Sequence, residues 1–157
     1  MNGFYEAPNT IIQMLFTAQQ LLYTMTPTQR ASCEYPMDDP GRLDWDFIPK
    51  PDRTGIPLWQ LDRHQRVLAH TLVKSGLSMR GYTQALEIMA MENVLRELEV
   101  GRMGVIAGDL RHPDAYFLSF FGRPGFEDTW AWRFLGDRKS TRLNSSHLDV
   151  SRMPSSA

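Results

Sequence analysis

Three histidines, three arginines and a run of polar loop residues are the groups in this chain best suited to chemistry. His112 sits in Asp109-Leu110-Arg111-His112-Pro113-Asp114, where an imidazole is flanked by two carboxylates. Histidine with two carboxylates is a ligand-like set for a metal or for proton transfer. Loops that enter strands also often carry function. Proximity in sequence is not coordination geometry, however, and Asp114 equally suits the start of a turn. His64 and His70 fall on one helical segment. His64 lies near the apolar face with Leu61 and Leu68, and His70 points to the opposite side. The two cannot share a metal, and each reads first as a packed or surface histidine.

Arg53, Arg111 and Arg133 stand beside turn or aromatic residues, with Tyr116 close to Arg111. A guanidinium fork suits a carboxylate or phosphate and also stacks on aromatic rings. Anion binding would require at least two of them to converge. The alternative is structural, with each arginine bonded to loop carbonyls or a carboxylate. Gln65 falls with Leu61, Leu68 and Leu72 on an inner face, where an unpaired amide would be costly. Loop backbone is its expected partner. Gly101, Gly104 and Gly108 do not form a phosphate loop, because no Gly-Lys-Ser/Thr ending follows and no strand-to-helix setting is present.

Stepping from these groups to the elements around them, Asn9 or Thr10 can cap a first helix reaching about Met25. Its expected apolar face is Ile11, Ile12, Leu15, Phe16, Leu22 and Tyr23, and Thr26-Pro27 ends it. From about Cys33 the chain turns loop-like, with Pro36, Asp38, Asp39, Pro40 and Gly41 close together. Trp45-Asp46-Phe47-Ile48 reads as a short strand, and Lys50 to Pro57 as a turn-rich loop. A second helix is expected from about Leu58 to Ser75, stopped by Gly76. Ser78 can cap a third, reaching about Val100 and stopped by Gly101. Leu86, Ile88, Met89, Met91, Leu95 and Leu98 would give that helix a broad buried face. Glu92 and Arg96 would form an exposed pair one turn apart. The Gly76-Leu77-Ser78 link suggests an antiparallel helical hairpin.

Ala115 to Phe121 then reads as a strand, Gly122-Arg123-Pro124-Gly125 as a turn, and Thr129 to Leu135 as the partner strand. Trp130, Trp132 and Phe134 alternate with Thr129, Ala131 and Arg133, so the aromatic set lies on one face. A buried sheet face is the first reading of that stripe, and ligand stacking the second. Together these elements predict an α+β fold: an N-terminal helix and a helical hairpin on an antiparallel sheet.

Residues 137–157 read differently from the rest. In one frame Asp137 to His147 and Ser151 to Ala157 match the translation of a common sequencing adapter, with Leu148 to Val150 in the place of its variable index. The segment reads as a non-native and disordered tail. Residues 1–136 are then expected to be the N-terminal part of a larger domain. A chain stopping there would leave an open sheet edge and would be only marginally folded. The whole chain has 17 Lys+Arg and 18 Asp+Glu; without four basic and two acidic tail residues the counts are 13 and 16, a net charge of −3. That balance lacks the footprint of a nucleic-acid binder. No apolar run is long enough to span a bilayer. Cys33 is the only cysteine, which excludes an internal disulfide and fits a reducing, cytoplasmic setting. A small-molecule ligand is the partner these residues leave open.

Seven blocks occur in a fixed order: Trp45-x-Phe47-Ile48-Pro49, Arg53-Thr54-Gly55-Ile56-Pro57-Leu58, Gln65-Arg66, Leu77-Ser78-x-x-Gly81-Tyr82, Arg111-x-Pro113-x-x-Tyr116, Phe121-Gly122-x-Pro124 and Trp130-x-Trp132-Arg133-Phe134-x-Gly136. In this order the chain resembles the domain of unknown function 3500 family over about residues 15–136. The resemblance implies no named activity. It does imply a Gly-His-His sequence after the Trp-rich strand, where this chain has Gly136-Asp137-Arg138. It therefore suggests an enzyme whose His-dependent site, metal-binding or acid–base, is missing here. The alternative is a non-catalytic ligand-binding or structural module.

Overall fold

The computed structural model describes residues 8–44, 53–103 and 112–136. The expected strand at Trp45–Ile48, Asp109, Arg111 and the segment 137–157 lie outside the described residues.

Helix α1 spans Pro8–Thr24. Its buried stripe is Met14, Leu15, Ala18, Leu21 and Leu22, continued by Met25. The apolar face read from sequence is only half right: Leu15 and Leu22 are buried, whereas Ile12, Phe16 and Tyr23 are exposed. The helix carries apolar residues on two sides, and packing selects the side with Ala18. A small residue there lets a neighbouring helix approach closely. Thr26 ends α1 and also caps a short helix α2, Pro27–Ala31, through a capping box with Gln29.

After a 3₁₀ turn at Leu58–Gln60, helix α3 runs over Arg63–Ser75. Its start lies later than expected because Asp62 and Gln65 form a second capping box, with bonds of 2.8 and 3.0 Å. Its end before Gly76 is as expected. Leu61, Ala69, Leu72 and Val73 are buried, and α1 is the helix against which α3 packs most extensively. Gln65 is almost fully buried, and its amide donates to Thr24 O and Gln29 Oε1. The side chain thus satisfies itself at the junction of α1, α2 and α3.

Helix α4 spans Met79–Met103, with Ser78 Oγ accepting from Gly81 N at 3.1 Å. It passes through Gly101 rather than stopping there. The broad buried face also needs correction. Met89 is buried, but Leu86, Met91 and Leu98 are exposed, and Glu92 is buried rather than exposed. Apolar residues surround this helix, so periodicity could not fix its rotation. Leu77 and Tyr82, packed against the core at its start, set the inner stripe that continues to Met89 and Glu92.

The sheet is mixed, not purely antiparallel. Strand β3, Tyr116–Phe121, is central; β4, Ala131–Gly136, pairs antiparallel along its full length. The other edge is shared by two short strands. β1, Glu34–Tyr35, pairs parallel at Phe120 and Phe121, and β2, Ile56–Pro57, pairs antiparallel at Leu118 and Phe117. A parallel pair needs a long crossover, which the chain between β1 and β3, including α3 and α4, supplies. Gly122 turns the chain out of β3 at φ 73°, where a β-carbon would lie 2.6 Å from Thr129 O.

Trp130, Trp132 and Phe134 enter the main core with Leu118, Phe120 and Ile56, as the alternation predicts. The opposite face is covered too: Phe117, Ser119, Phe121, Ala131 and Arg133 are all buried. The fold is α+β.

Candidate functional site: a basic groove beside α3 and α4

One stripe of α3 carries Arg63, Arg66, Val67, His70, Thr71 and Lys74, spaced so that successive turns stack on one side. Tyr82, in the first turns of α4, closes the other wall of a groove of about 440 Å³. The Tyr82 hydroxyl approaches His70 Nδ1 at 3.4 Å, and the two rings meet edge-on. Burial lowers the His70 pKa from its ordinary value; the Asp114 carboxylate opposes that shift and the Arg66 guanidinium adds to it. Burial raises the Tyr82 hydroxyl pKa. Burial thus favours the uncharged form of each.

The turn before β3 reaches this groove. Arg66 Nη1 donates to Asp114 Oδ2 at 2.8 Å. Asp114 N donates to His112 Nδ1 at 3.0 Å. A backbone N–H can only donate, so His112 Nδ1 carries a lone pair, and the neutral ring holds its proton on Nε2. Cationic groups at both ends, an imidazole and a phenol between them, and short apolar surface from Val67 suit a small anion with some carbon framework.

Those of the residues singled out from sequence that are described do not converge on one place. His112 lies at the turn that Asp114 ties to α3. Tyr116 is buried on the core face of the sheet, stacked on Phe134 with centroids 5.4 Å apart. Arg133 pairs in register with Ser119, on the opposite face from Tyr116. There it donates to Gly41 O and, at 3.1 Å, to Asp44 O, and lies over the Phe121 ring. Arg53 is buried just before β2, and its neighbour Thr54 accepts from Ser119 Oγ on that same far face. Asp109 and Arg111 lie outside the described residues. His64 is exposed rather than near the apolar face. The groove residues Arg63, Arg66, Lys74 and Tyr82 were missed. Their signal was a cation recurring along one side of a helix, a pattern that an ordinary solvated face also produces.

Among the described residues no group of three His, Cys, Asp or Glu side chains is arranged to hold a metal ion. No described helix is long and apolar enough to cross a membrane. No curated protein and no solved structure matches the chain. The family profile described as "Protein of unknown function (DUF3500)" matches residues 7–145, extending past Gly136 into the segment that reads as adapter-derived. That span contains all seven ordered blocks and every element of the fold, and the chain belongs to the DUF3500 family.

Proposed function

We propose that residues 1–136 form the N-terminal part of a larger domain and contribute a binding site for a small organic anion. The observation that carries this reading is the 440 Å³ groove with Arg63, Arg66 and Lys74 along one wall and Tyr82 on the other. A charge-assisted hydrogen bond contributes about 1.5–3 kcal/mol, so two such contacts would support binding of a dicarboxylate or phosphate ester. The net charge of −3 without the tail favours a small ligand held by local cations over nucleic acid. A cytoplasmic location belongs to the same proposal, supported by the single buried thiol of Cys33. Calorimetric titration with succinate and inorganic phosphate tests the site. Millimolar or tighter binding that weakens at least about tenfold in the Arg63→Gln, Lys74→Gln double variant is expected. Equal affinity in the double variant would remove the groove from consideration.

A second reading, an enzyme with a His-dependent metal or acid–base site, draws support from the strand register. Tyr116 pairs with Gly136. In a relative carrying two histidines after that glycine, antiparallel continuation would bring them alongside Ala115 and Asp114, next to Arg66. Metal analysis of such a relative, with both histidines replaced in a control, tests this. No bound metal and no change in ligand binding would discard it.

A further inference from the structure

Asp114 brings a carboxylate of the protein itself onto the groove's cations. Its Oδ2 lies 2.8 Å from Arg66 Nη1, and the two side chains keep 22 % and 40 % of their exposure, so solvent and solutes reach the pair. Among the described residues Arg63 and Lys74 form no ion pair. The turn that carries Asp114 is held by bonds that do not use the carboxylate: Asp114 N to His112 Nδ1, and Ala115 N to His112 O at 2.8 Å. The carboxylate can therefore leave Arg66 while the turn keeps its backbone bonds.

Building on the anion-binding reading, we propose that Asp114 is a built-in competing anion that any ligand of the groove must displace from Arg66. A monoanion that displaces Asp114 only exchanges one carboxylate for another on Arg66, and it loses its own translational freedom in doing so. A compact dianion keeps that exchange and adds a second charge, which reaches Arg63 one helical turn away, about 5 Å along α3. Removing the Asp114 charge should therefore tighten binding of monoanions and dianions alike, because both must displace it. A unit charge a few ångströms from a bound anion at a partly exposed site changes its affinity by about tenfold.

The test is titration of the full chain with acetate and with succinate at low ionic strength, in the wild type and in Asp114→Asn. Succinate should bind the wild type at least about tenfold more tightly than acetate. In Asp114→Asn acetate and succinate should each bind about tenfold more tightly than in the wild type. If acetate binding is unchanged or weaker in the variant while succinate still binds both proteins, Asp114 orients Arg66 instead of competing for it. The competition proposal then fails and the groove stands. If neither anion binds either protein, both fall. Should Asp114→Asn fail to fold, the carboxyl carbon resonance of Asp114 in the wild type decides. It should move on saturation with succinate, and a stationary signal would overturn the proposal.

Discussion

The ring of Tyr116 packs across the β3–β4 ladder onto Gly136, its register partner, in the space that a β-carbon at position 136 would fill. The same ring stacks on Phe134 at an interplanar angle of 19°. Glycine is required there by a side chain, not by a turn. Gly136→Ala should push the ring off Phe134 and cost about 1–3 kcal/mol, the usual range for overpacking a close-fitted site. Urea unfolding measures this, and an unchanged midpoint would show that the ring has room to move.

Arg133 reaches from the centre of β4 to the carbonyls of Gly41, inside the 3₁₀ turn Pro40–Leu43, and of Asp44, its C-cap. Arg133→Met keeps an apolar stem but removes the guanidinium from the Phe121 ring and from both carbonyls, leaving Gly41 O with Asp44 N alone. A loss of about 1.5–3 kcal/mol is expected. Amide exchange at Arg42 and Asp44 should quicken in the variant, and unaltered exchange there would count against the tether.

Cys33 has no exposed surface, and burial pushes its thiol pKa up to about 12. Its Sγ lies 3.7 Å from Met25 Sδ, inside the core. At pH 8 the native thiol should resist alkylation, since the thiolate is the reactive form. Labelling should track unfolding across a urea titration. Rapid labelling without denaturant would show that the Met25–Cys33 region opens locally.

His70 makes the fold sensitive to acid. Its folded pKa lies below the ordinary 6.5 because burial disfavours the charged ring. The unfolded chain therefore takes up a proton at a pH where the folded one does not. The stabilisation is complete above pH 6.5 and is lost as the pH falls through that value toward the folded pKa. The wild type should lose more stability than His70→Asn on going from about pH 7 to pH 5. Parallel declines in the two proteins would assign the effect to other groups.

Local signals carried much of the fold. Thr26-Pro27 and Gly76 mark helix ends in the sequence, and the alternation of Trp130, Trp132 and Phe134 marks β4 and its inner face. The strands β1 and β2 were hidden because two residues hold no alternation, and their pairing depends on β3, far along the chain. The rotation of α4 was hidden for the opposite reason, an excess of apolar residues around its whole circumference. The site was legible at one end only. Asp114 and His112 stood out as chemistry-bearing residues. Arg66 became their partner only through the folded approach of α3, and the polar stripe of α3 became a groove wall only with Tyr82 opposite.

Among the described residues every ladder of the sheet passes through β3, and that imposes an order on synthesis. As the chain leaves the ribosome, α1 and α3 emerge early and can pair by themselves, while Glu34–Tyr35 and Ile56–Pro57 have no strand to join. Those residues wait through the translation of α3, α4 and the turn before β3. When β3 arrives, closing both long loops and adding β4 become a single assembly event, with the slow, nonlocal character typical of high contact order. A nascent chain paused before Tyr116 would be a helical intermediate, with the β-strand half of its architecture still unmade.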